Sequence, residues 1–325
     1  MRTAAELPDA DRAHADDALV RAAAGDGPVE LWLLGLPPLT RFLDFVTDTA
    51  VGGEQVNRAA LVSEWRTAND YYQSLEHTEA GLANQGTHRP LDAAFLPLAD
   101  ELAQHPHFRR TFDNLPTGFE MVELDRLIVY QQHVSLSFVE QQMARLGPDP
   151  DASAVWRFCL PLDTTAAPVK IQQLSSRRFV FRSPSLDLRF HEPTVLQGDL
   201  LGGFESFGAL AGVIGLKVGF GSNVLNAIRV GDRMLLNNGY HRATALRSLG
   251  ITHAPCIVQT ATRVDELALT TKTRVVEHPE FYFESARPPM LADYFNPRLR
   301  KLLPTRQRER QIEISFEVKE NLVCD

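Results

Sequence analysis

Apolar residues in the first third of the chain recur at the spacing of an α-helix. Between residues 54 and 75 they fall three or four positions apart, and residues 91–102 repeat the pattern. Prolines at 37–38 and at 90 divide the run into segments. The pattern predicts that residues 28–115 are mainly helical, within a helical N-terminal region that spans residues 1–117. No motif in this region connects with a chemistry, and its pattern is typical of a packing or dimerisation module.

From about residue 118 the spacing changes to the alternation that is typical of strands. Residues 119–125 predict a short strand and turn, and a helix follows over residues 137–146, ended by Gly147. Further strands are predicted at 155–160, 169–173 and 178–181. The stretch 198–223 is rich in glycine, and a helix is predicted over 206–214 within it.

The clearest pattern in the sequence lies between residues 227 and 258. Two apolar strand segments, 227–230 and 233–236, flank Gly231-Asp232, which favours a two-residue hairpin turn. The turn Asn237-Asn238-Gly239 precedes a helix over 240–248, which Gly250 closes, and a strand over 251–258. A helix after residue 265 and a strand over 311–318 complete the prediction. These segments predict an α/β fold of the α+β type, in which a mixed sheet follows the helical N-terminal region.

Composition and charge are those of an ordinary globular protein, with 44% hydrophobic residues, 23% charged residues and a net charge of −8. The acidic total disfavours broad binding of nucleic acid, whose phosphates attract basic surfaces. Residues 1–17 lack the apolar stretch of a signal peptide, and no run of about 18 apolar residues is present. We therefore expect a cytoplasmic protein without membrane contact. Its cysteines, Cys159, Cys256 and Cys324, are too widely spaced for a disulfide framework, and Cys256 is expected to be a core thiol.

The turn and helix start at residues 237–243 carry the candidate chemistry. The first N–H groups of a helix are unpaired and partly positive, so a helix start attracts anions. Gly239 lets the backbone turn sharply and approach a ligand. His241 and Arg242 fall in the first helical turn, where cations are unfavourable unless an anion lies beside them, and Arg242 can bind phosphate through two parallel hydrogen bonds. We expect both side chains to be accessible from a cleft and to hold phosphate oxygens; the alternative is that they are surface residues and that Gly239 serves only the turn.

Residues 235–243, followed by 245–246, 249–250 and Ala254-Pro255-Cys256-Ile257-Val258, resemble the signature of the ParB/sulfiredoxin superfamily, which includes ParB-type CTPases, sulfiredoxin and ADP-dependent free-serine kinases. Residues 122–127 and 130–133 resemble the opening strand and polar box of the same fold. The resemblance implies a domain over residues 118–265, with a large insertion at about 150–225, and a C-terminal extension over 266–325. It also implies that nucleotide phosphates are bound by residues of the turn and of the polar box: Asn238, Gly239, Tyr240, His241, Arg242, Gln131 and His133.

The sequence departs from each member family in one respect. Sulfiredoxin carries its catalytic Cys directly before the His-Arg pair, where this chain has Tyr240, so repair of sulfinic acids is not expected. The serine kinases carry Asp before the glycine of the turn, where this chain has Asn238, which cannot act as a base. ParB partition proteins follow this domain with a helix-turn-helix DNA reader, and the pattern of residues 266–325 does not predict one.

The resemblance implies that the protein binds a nucleotide (ATP, ADP or CTP) or another phosphorylated small molecule. The implied chemistry is phosphoryl transfer or nucleotide hydrolysis, by a nucleotide-dependent kinase or a nucleotide hydrolase. The alternative is a non-catalytic protein of ParB type that uses the nucleotide as a regulatory or DNA-associated switch. Whether Mg²⁺ takes part, which group acts as the base and whether the chain forms a homodimer stay open. The acids between the two matched segments are Asp187, Glu192, Asp199 and Glu205.

Overall fold

The computed structural model describes residues 20–21, 25, 27–162, 167–191, 193–197, 208–221, 223–271 and 273–321. The chain divides into two compact units. Unit 1 is Met1–Leu162 with Asn223–Arg306, and unit 2 is Asp163–Ser222 with Gln307–Asp325. The domain boundary predicted at residue 117 falls inside unit 1, and the predicted insertion at about 150–225 contains the first segment of unit 2.

Strands and helices alternate irregularly along the chain. The strands are β1 (Val29–Leu33), β2 (His88–Pro90), β3 (Thr117–Glu123), β4 (His133–Ser135), β5 (Lys170–Ser175), β6 (Arg178–Ser183), β7 (Leu188–Phe190), β8 (Thr194–Leu196), β9 (Val213–Gly215), β10 (Val218–Phe220), β11 (Asn226–Val230), β12 (Arg233–Asn238), β13 (His253–Ala261), β14 (Arg300–Pro304) and β15 (Arg310–Ser315). The α-helices are α1 (Leu39–Thr49), α2 (Arg58–Thr78), α3 (Leu96–Gln104), α4 (Pro106–Thr111), α5 (Leu136–Leu146), α6 (Ala152–Cys159), α7 (Tyr240–Ser248), α8 (Thr273–Glu277) and α9 (Pro279–Phe283).

Unit 1 is built on a mixed five-stranded sheet in the order β12-β11-β13-β3-β2. β11 and β13 are parallel, whereas the other neighbouring strands are antiparallel. An antiparallel sheet in the order β14-β1-β4 belongs to the same unit. β13 is buried along nearly all its length, which is typical of a strand covered on both faces. The mixed sheet and the mainly helical stretch 28–115 confirm the predicted α+β class.

Helix α7 packs inside unit 1, against α5. Its first residues are buried, and Ala243, Ala245 and Leu246 belong to the main hydrophobic core. The small side chains at 243 and 245 allow this close packing, since they add little bulk on the buried side. The helix runs from residue 240 to residue 248 and Gly250 follows with a φ of +80°. The predicted hairpin, helix and capping glycine at 227–250 are therefore confirmed.

The predicted strand at 155–160 is wrong, because these residues form helix α6 and the residue that ends it. Asp151 caps the helix, accepting a hydrogen bond from the Ala154 amide at 2.7 Å. Trp156 and Cys159 then fall on one buried side, three positions apart. A short apolar run suits a buried helix as well as a strand, so its length and alternation alone do not decide between them.

Unit 2 contains an antiparallel sheet in the order β15-β6-β5, and the strand pairs β7/β10 and β8/β9. The strands predicted at 169–173, 178–181 and 311–318 correspond to β5, β6 and β15. The first two residues of the helix predicted over 206–214 lie outside the described residues. From residue 208 the prediction is wrong, because residues 213–215 form β9. Glycines at 208, 212 and 215 explain the difference, since glycine weakens a helix.

Candidate functional site

The candidate site is the start of α7, which we define as residues 238–242 and call the α7 start. Gly239 precedes the helix with a φ of +94°, in the left-handed region that favours glycine. A Cβ atom on this residue would lie 3.0 Å from the Leu225 Cα and 3.1 Å from the Val224 carbonyl oxygen. Both the backbone conformation and the lack of space for a Cβ atom therefore require glycine at this position. Among the described residues, no side chain caps the first N–H groups of the helix.

Asn238 and His241 are half-buried on either side of Gly239. The Oδ1 atom of Asn238 accepts a hydrogen bond from the Gly239 amide at 2.9 Å. The Nε2 atom of His241 accepts one from the Ser135 amide at 3.1 Å, which places the ring proton on Nδ1 when the ring is neutral. The His241 ring also packs edge-on against Phe138, with the ring centres 5.1 Å apart. The exposed edge of β4 and the start of α5 therefore fix the orientation of His241.

The side chain of Tyr240 at the α7 start is bonded to backbone groups of the protein. Its hydroxyl donates to the Leu236 carbonyl at 2.6 Å and accepts from the Tyr130 amide at 3.2 Å. Burial raises the pKa of this hydroxyl well above its usual value. The side chain is 5% exposed and links α7 to the segment that leads into β4. A phosphate contact of Tyr240 would therefore come from its backbone N–H, since the side chain is enclosed.

Arg242 is only 8% exposed, so the expectation that it is accessible from a cleft is wrong. Its Nε donates to the Phe158 carbonyl at 2.6 Å, and its Nη1 donates to the Asn223 side chain. No carboxylate within the described ranges pairs with the guanidinium, and Nη2 makes no hydrogen bond to any of these residues. Nη2 is not among the fully buried atoms without a partner, so it is the end of the side chain that solvent or a ligand can reach. The buried cation therefore keeps one donor nitrogen that the described part of the chain does not use.

Arg233 is a useful comparison, because it is equally buried at 7% exposure. Its Nε donates to Asn84 at 2.8 Å, Nη1 to the Tyr282 carbonyl at 3.2 Å and Nη2 to the Ser285 carbonyl at 2.7 Å. All three nitrogens of Arg233 thus have protein acceptors. Arg242 differs from this structural arginine in its unused Nη2, which suits an additional acceptor.

A second guanidinium lies close to Arg242. Burial lowers the pKa of Arg242 to about 10; Cys159 raises it, and Arg145 on α5 lowers it. Burial also raises the pKa of the Cys159 thiol to about 12, so this thiol is neutral near pH 7 and does not compensate the charge. An anion beside Arg242 would relieve both the burial of its charge and the repulsion from Arg145.

The backbone of Gln131 is hydrogen-bonded to the Tyr240 hydroxyl, whereas His133 turns away from the main core. The Gln131 side chain donates to the His133 carbonyl at 2.7 Å. The His133 ring stacks on Trp32 with the ring centres 4.9 Å apart, and its Nδ1 lies 2.9 Å from the Glu30 carboxylate. Val134, on the opposite face of β4, packs in the main core with α7. His133 therefore belongs with a carboxylate and an aromatic ring on the other face of this sheet.

Within the described part of the chain, the acids that lie between the two matched segments are not at the α7 start. Asp187 lies in unit 2, where it pairs with Arg189 and accepts from the Gly221 amide at 3.1 Å. Glu192, Asp199 and Glu205 lie outside the described residues. Among the residues that are described, no group of three or more His, Cys, Asp or Glu side chains is arranged to hold a metal ion. A base and a role for Mg²⁺ stay unassigned.

Arg145, Asn223 and Phe158 are contacts of the site that the sequence did not suggest. Phe158 contributes a backbone carbonyl, which carries no side-chain signature, and Asn223 follows a glycine-rich stretch that resembles a loop. Arg145 lies in the last turn of α5, where a basic residue is favoured for the helix alone. A search for basic residues near the polar box would have found Arg145.

The fold and site define an α+β protein with a buried arginine at an uncapped helix start. Comparisons with protein-family models, with curated proteins and with solved structures gave no match. The resemblance to the ParB/sulfiredoxin superfamily therefore stays a prediction that rests on the quoted residues. In the part of the chain that the structure describes, no helix is long and apolar enough to cross a membrane.

Proposed function

We propose that the α7 start binds the phosphate of a nucleotide or of another phosphorylated small molecule. The observation that carries the proposal is the Arg242 guanidinium, which is buried without a described carboxylate partner and leaves Nη2 unused. Phosphate offers several acceptor oxygens and a negative charge, so it complements both properties. The uncapped N–H groups after Gly239 supply further donors on the same helix end.

The same proposal extends to phosphoryl transfer or nucleotide hydrolysis as the chemistry. Such reactions need mainly positioning and neutralisation of charge, which backbone amides and arginines supply. Arg242 and the nearby Arg145 would neutralise charge on the transferred or bound phosphate. His241, whose ring accepts from the Ser135 amide, lies in the first turn of the same helix.

A ligand screen by thermal shift tests the proposal directly. ATP, ADP and CTP are each added with and without MgCl₂, at constant ionic strength, because a ligand that binds only the folded state raises the melting temperature. At a concentration one hundred times its Kd, a ligand stabilises the folded state by about 2.7 kcal/mol. We expect at least one nucleotide to stabilise the parent protein and the Arg66→Ala control equally, since Arg66 is exposed on α2.

Two further measurements separate the function classes. Release of phosphate, or its transfer to a second substrate, in the presence of the stabilising nucleotide supports an enzyme. Nucleotide binding without turnover, together with DNA binding that weakens steeply with salt, supports the switch instead. Absence of stabilisation by every phosphorylated compound tested at millimolar concentration contradicts the proposal.

A further inference from the structure

A second group of polar side chains in unit 1 contains buried atoms that lack hydrogen-bond partners. We call it the Arg274 cluster and define it by Arg41 on α1, Gln132 before β4, Arg274 on α8 and Tyr282 on α9. Gln132 and Arg274 share one acceptor, the Pro37 carbonyl, to which the Gln132 amide donates at 3.2 Å and the Arg274 Nη2 at 2.7 Å. Arg41 lies close enough to Arg274 and to Tyr282 for their charges to interact, so the cluster brings together α1, α8, α9 and the segment before β4.

Several buried polar atoms here have no protein partner. They include the Oε1 of Gln132 and the Nη1 of Arg274 within the cluster, and the hydroxyls of Thr270 and Thr271, which precede α8. Native proteins contain few such atoms, and each one calls for a ligand, a water molecule or an ion. Gln132 is 3% exposed, so bulk water does not satisfy its oxygen.

The cluster also brings two positive charges close together. Neither Arg41 nor Arg274 pairs with a carboxylate anywhere in the described ranges. The Arg41 side chain is exposed, and partial desolvation together with the positive charge of Arg274 lowers its pKa. Burial raises the pKa of the Tyr282 hydroxyl, which is hydrogen-bonded to the Arg274 side chain and is neutral near pH 7. Tyr282 therefore supplies an acceptor to Arg274 but no negative charge.

A structural arginine in the same unit shows the difference. Arg287 is 2% exposed, and it makes two 2.6 Å hydrogen bonds to the Asp293 carboxylate and two more, at 2.9 and 3.0 Å, to Glu79. This arginine completes its hydrogen bonds and its charge with carboxylates. In the Arg274 cluster, by contrast, a guanidinium nitrogen lacks a hydrogen-bond partner and no described carboxylate pairs with either arginine. Such a site can accept an anionic ligand.

The cluster adjoins the α7 start through Asn237. The Asn237 side chain donates to the Thr270 carbonyl at 3.0 Å, and Asn237 directly precedes Asn238. The Tyr130 hydroxyl donates to the Asn237 carbonyl, also at 3.0 Å. Asn237 therefore bridges the segment before α8 and the turn that begins α7.

We propose that the Arg274 cluster is a second anion site, which binds a phosphate or carboxylate group that also carries a hydroxyl. Two guanidiniums provide the donors and the charge for the oxyanion. The Oε1 atom of Gln132 accepts hydrogen bonds, and its Nε2 atom already donates to the Leu36 and Pro37 carbonyls, so an O–H group on the ligand would supply the donor that Oε1 lacks. Monohydrogen phosphate and 2-hydroxy carboxylates both have this combination. The site rests on residues different from those of the α7 start.

Equilibrium dialysis with radiolabelled inorganic phosphate, and separately with malate, tests the proposal on the full chain. If both sites bind phosphate, the parent protein and the exposed control Arg66→Ala bind two equivalents. Arg41→Ala and Arg274→Ala are each expected to retain one equivalent, or to weaken the second at least tenfold. Arg41 is exposed, so its variant keeps the test valid if Arg274→Ala does not fold. If malate binds once, in place of the second phosphate, and is lost in the same variants, the site prefers a carboxylate.

The variant Arg242→Met separates this proposal from the proposed function. Parent-like binding in Arg41→Ala and Arg274→Ala, with a loss in Arg242→Met, overturns the second site and leaves the α7 start standing. The reverse result, a loss only in Arg41→Ala and Arg274→Ala, supports the second site and shows that the α7 start does not hold free phosphate; its role in nucleotide binding is then decided by the thermal-shift screen. If the parent protein binds neither phosphate nor malate at millimolar concentration, the second site is refuted.

Discussion

Replacement of Arg242 by methionine tests the candidate site most sharply, because it removes the guanidinium and keeps a long side chain in the core. Two effects of the substitution can be measured separately. The Phe158 carbonyl, now bonded to Nε at 2.6 Å, loses its partner, and a buried unpaired polar group costs about 1–3 kcal/mol. The ligand loses a charge-assisted contact worth about 1.5–3 kcal/mol, which is roughly a tenfold to hundredfold loss of affinity.

The assay is a titration of the nucleotide that stabilises the parent protein, at a temperature well below the melting transition of every variant. Arg233→Met is the matched control, because Arg233 is equally buried and bonds two backbone carbonyls. We expect both variants to unfold at lower denaturant concentration and only Arg242→Met to lose affinity. Arg242→Lys is expected to recover part of the affinity, since it restores a charge without the planar fork.

The reasoning is refuted if Arg242→Met folds and binds the nucleotide as tightly as the parent protein does. Arg242 would then be a structural residue whose hydrogen bonds to Phe158 and Asn223 are its whole role. An equal loss of affinity in Arg233→Met would likewise count against a specific contact, because it would attribute the loss to destabilisation.

Three further predictions concern the surroundings of the site. Gly239→Ala is expected to lower the free energy of unfolding by at least about 1 kcal/mol more than Gly231→Ala in urea titrations. Both glycines have a left-handed φ, but of the two only residue 239 would place its Cβ against backbone atoms. Equal losses would contradict this. Cys256→Ala is expected to keep ligand binding at a packing cost on the order of 1 kcal/mol, since the thiol is fully buried and burial raises its pKa; loss of binding in a folded variant would implicate the thiol. Arg287→Ala leaves the buried Asp293 carboxylate without its ion-pair partner, and chemical denaturation is expected to show a loss of about 3–5 kcal/mol in the free energy of unfolding. The control Arg263→Ala removes an exposed ion pair and should change that free energy little. Similar values for the two variants would refute the role assigned to burial.

The α7 segment could be predicted from the sequence because its signals are local. A hairpin dipeptide, a glycine before the helix and another after it lie within twenty residues, and each acts through its own backbone conformation. The strand predicted at 155–160 was wrong because the local signals there do not decide between a strand and a helix. The local pattern there fits two structures, and the choice between them depends on the Asp151 cap and on packing around Trp156.

The environment of individual side chains could not be predicted, because it depends on distant partners. Arg242 bonds a backbone carbonyl 84 positions earlier in the chain, and Tyr240 bonds an amide 110 positions earlier. The predicted role of Gln131 in the polar box stays a prediction, and its side chain bonds the His133 carbonyl, whereas His133 lies on the other face of its strand, beside Glu30. Strand alternation separates such faces, and the short strand β4 gave too few residues to establish which face was buried.

The contacts of Arg242, which the sequence could not predict, also determine how much this residue contributes to the free energy of unfolding. A guanidinium at a helix start opposes the partial positive charge of the first N–H groups, and burial removes the water that would screen it. Arg145 adds repulsion, and no described carboxylate offsets these effects. Without ligand, Arg242 should therefore contribute less to stability than Arg233, whose three nitrogens are all bonded to protein acceptors. Denaturation of the two methionine variants without ligand measures this difference, and an anion that binds at the α7 start should restore the missing stability only in proteins that retain Arg242.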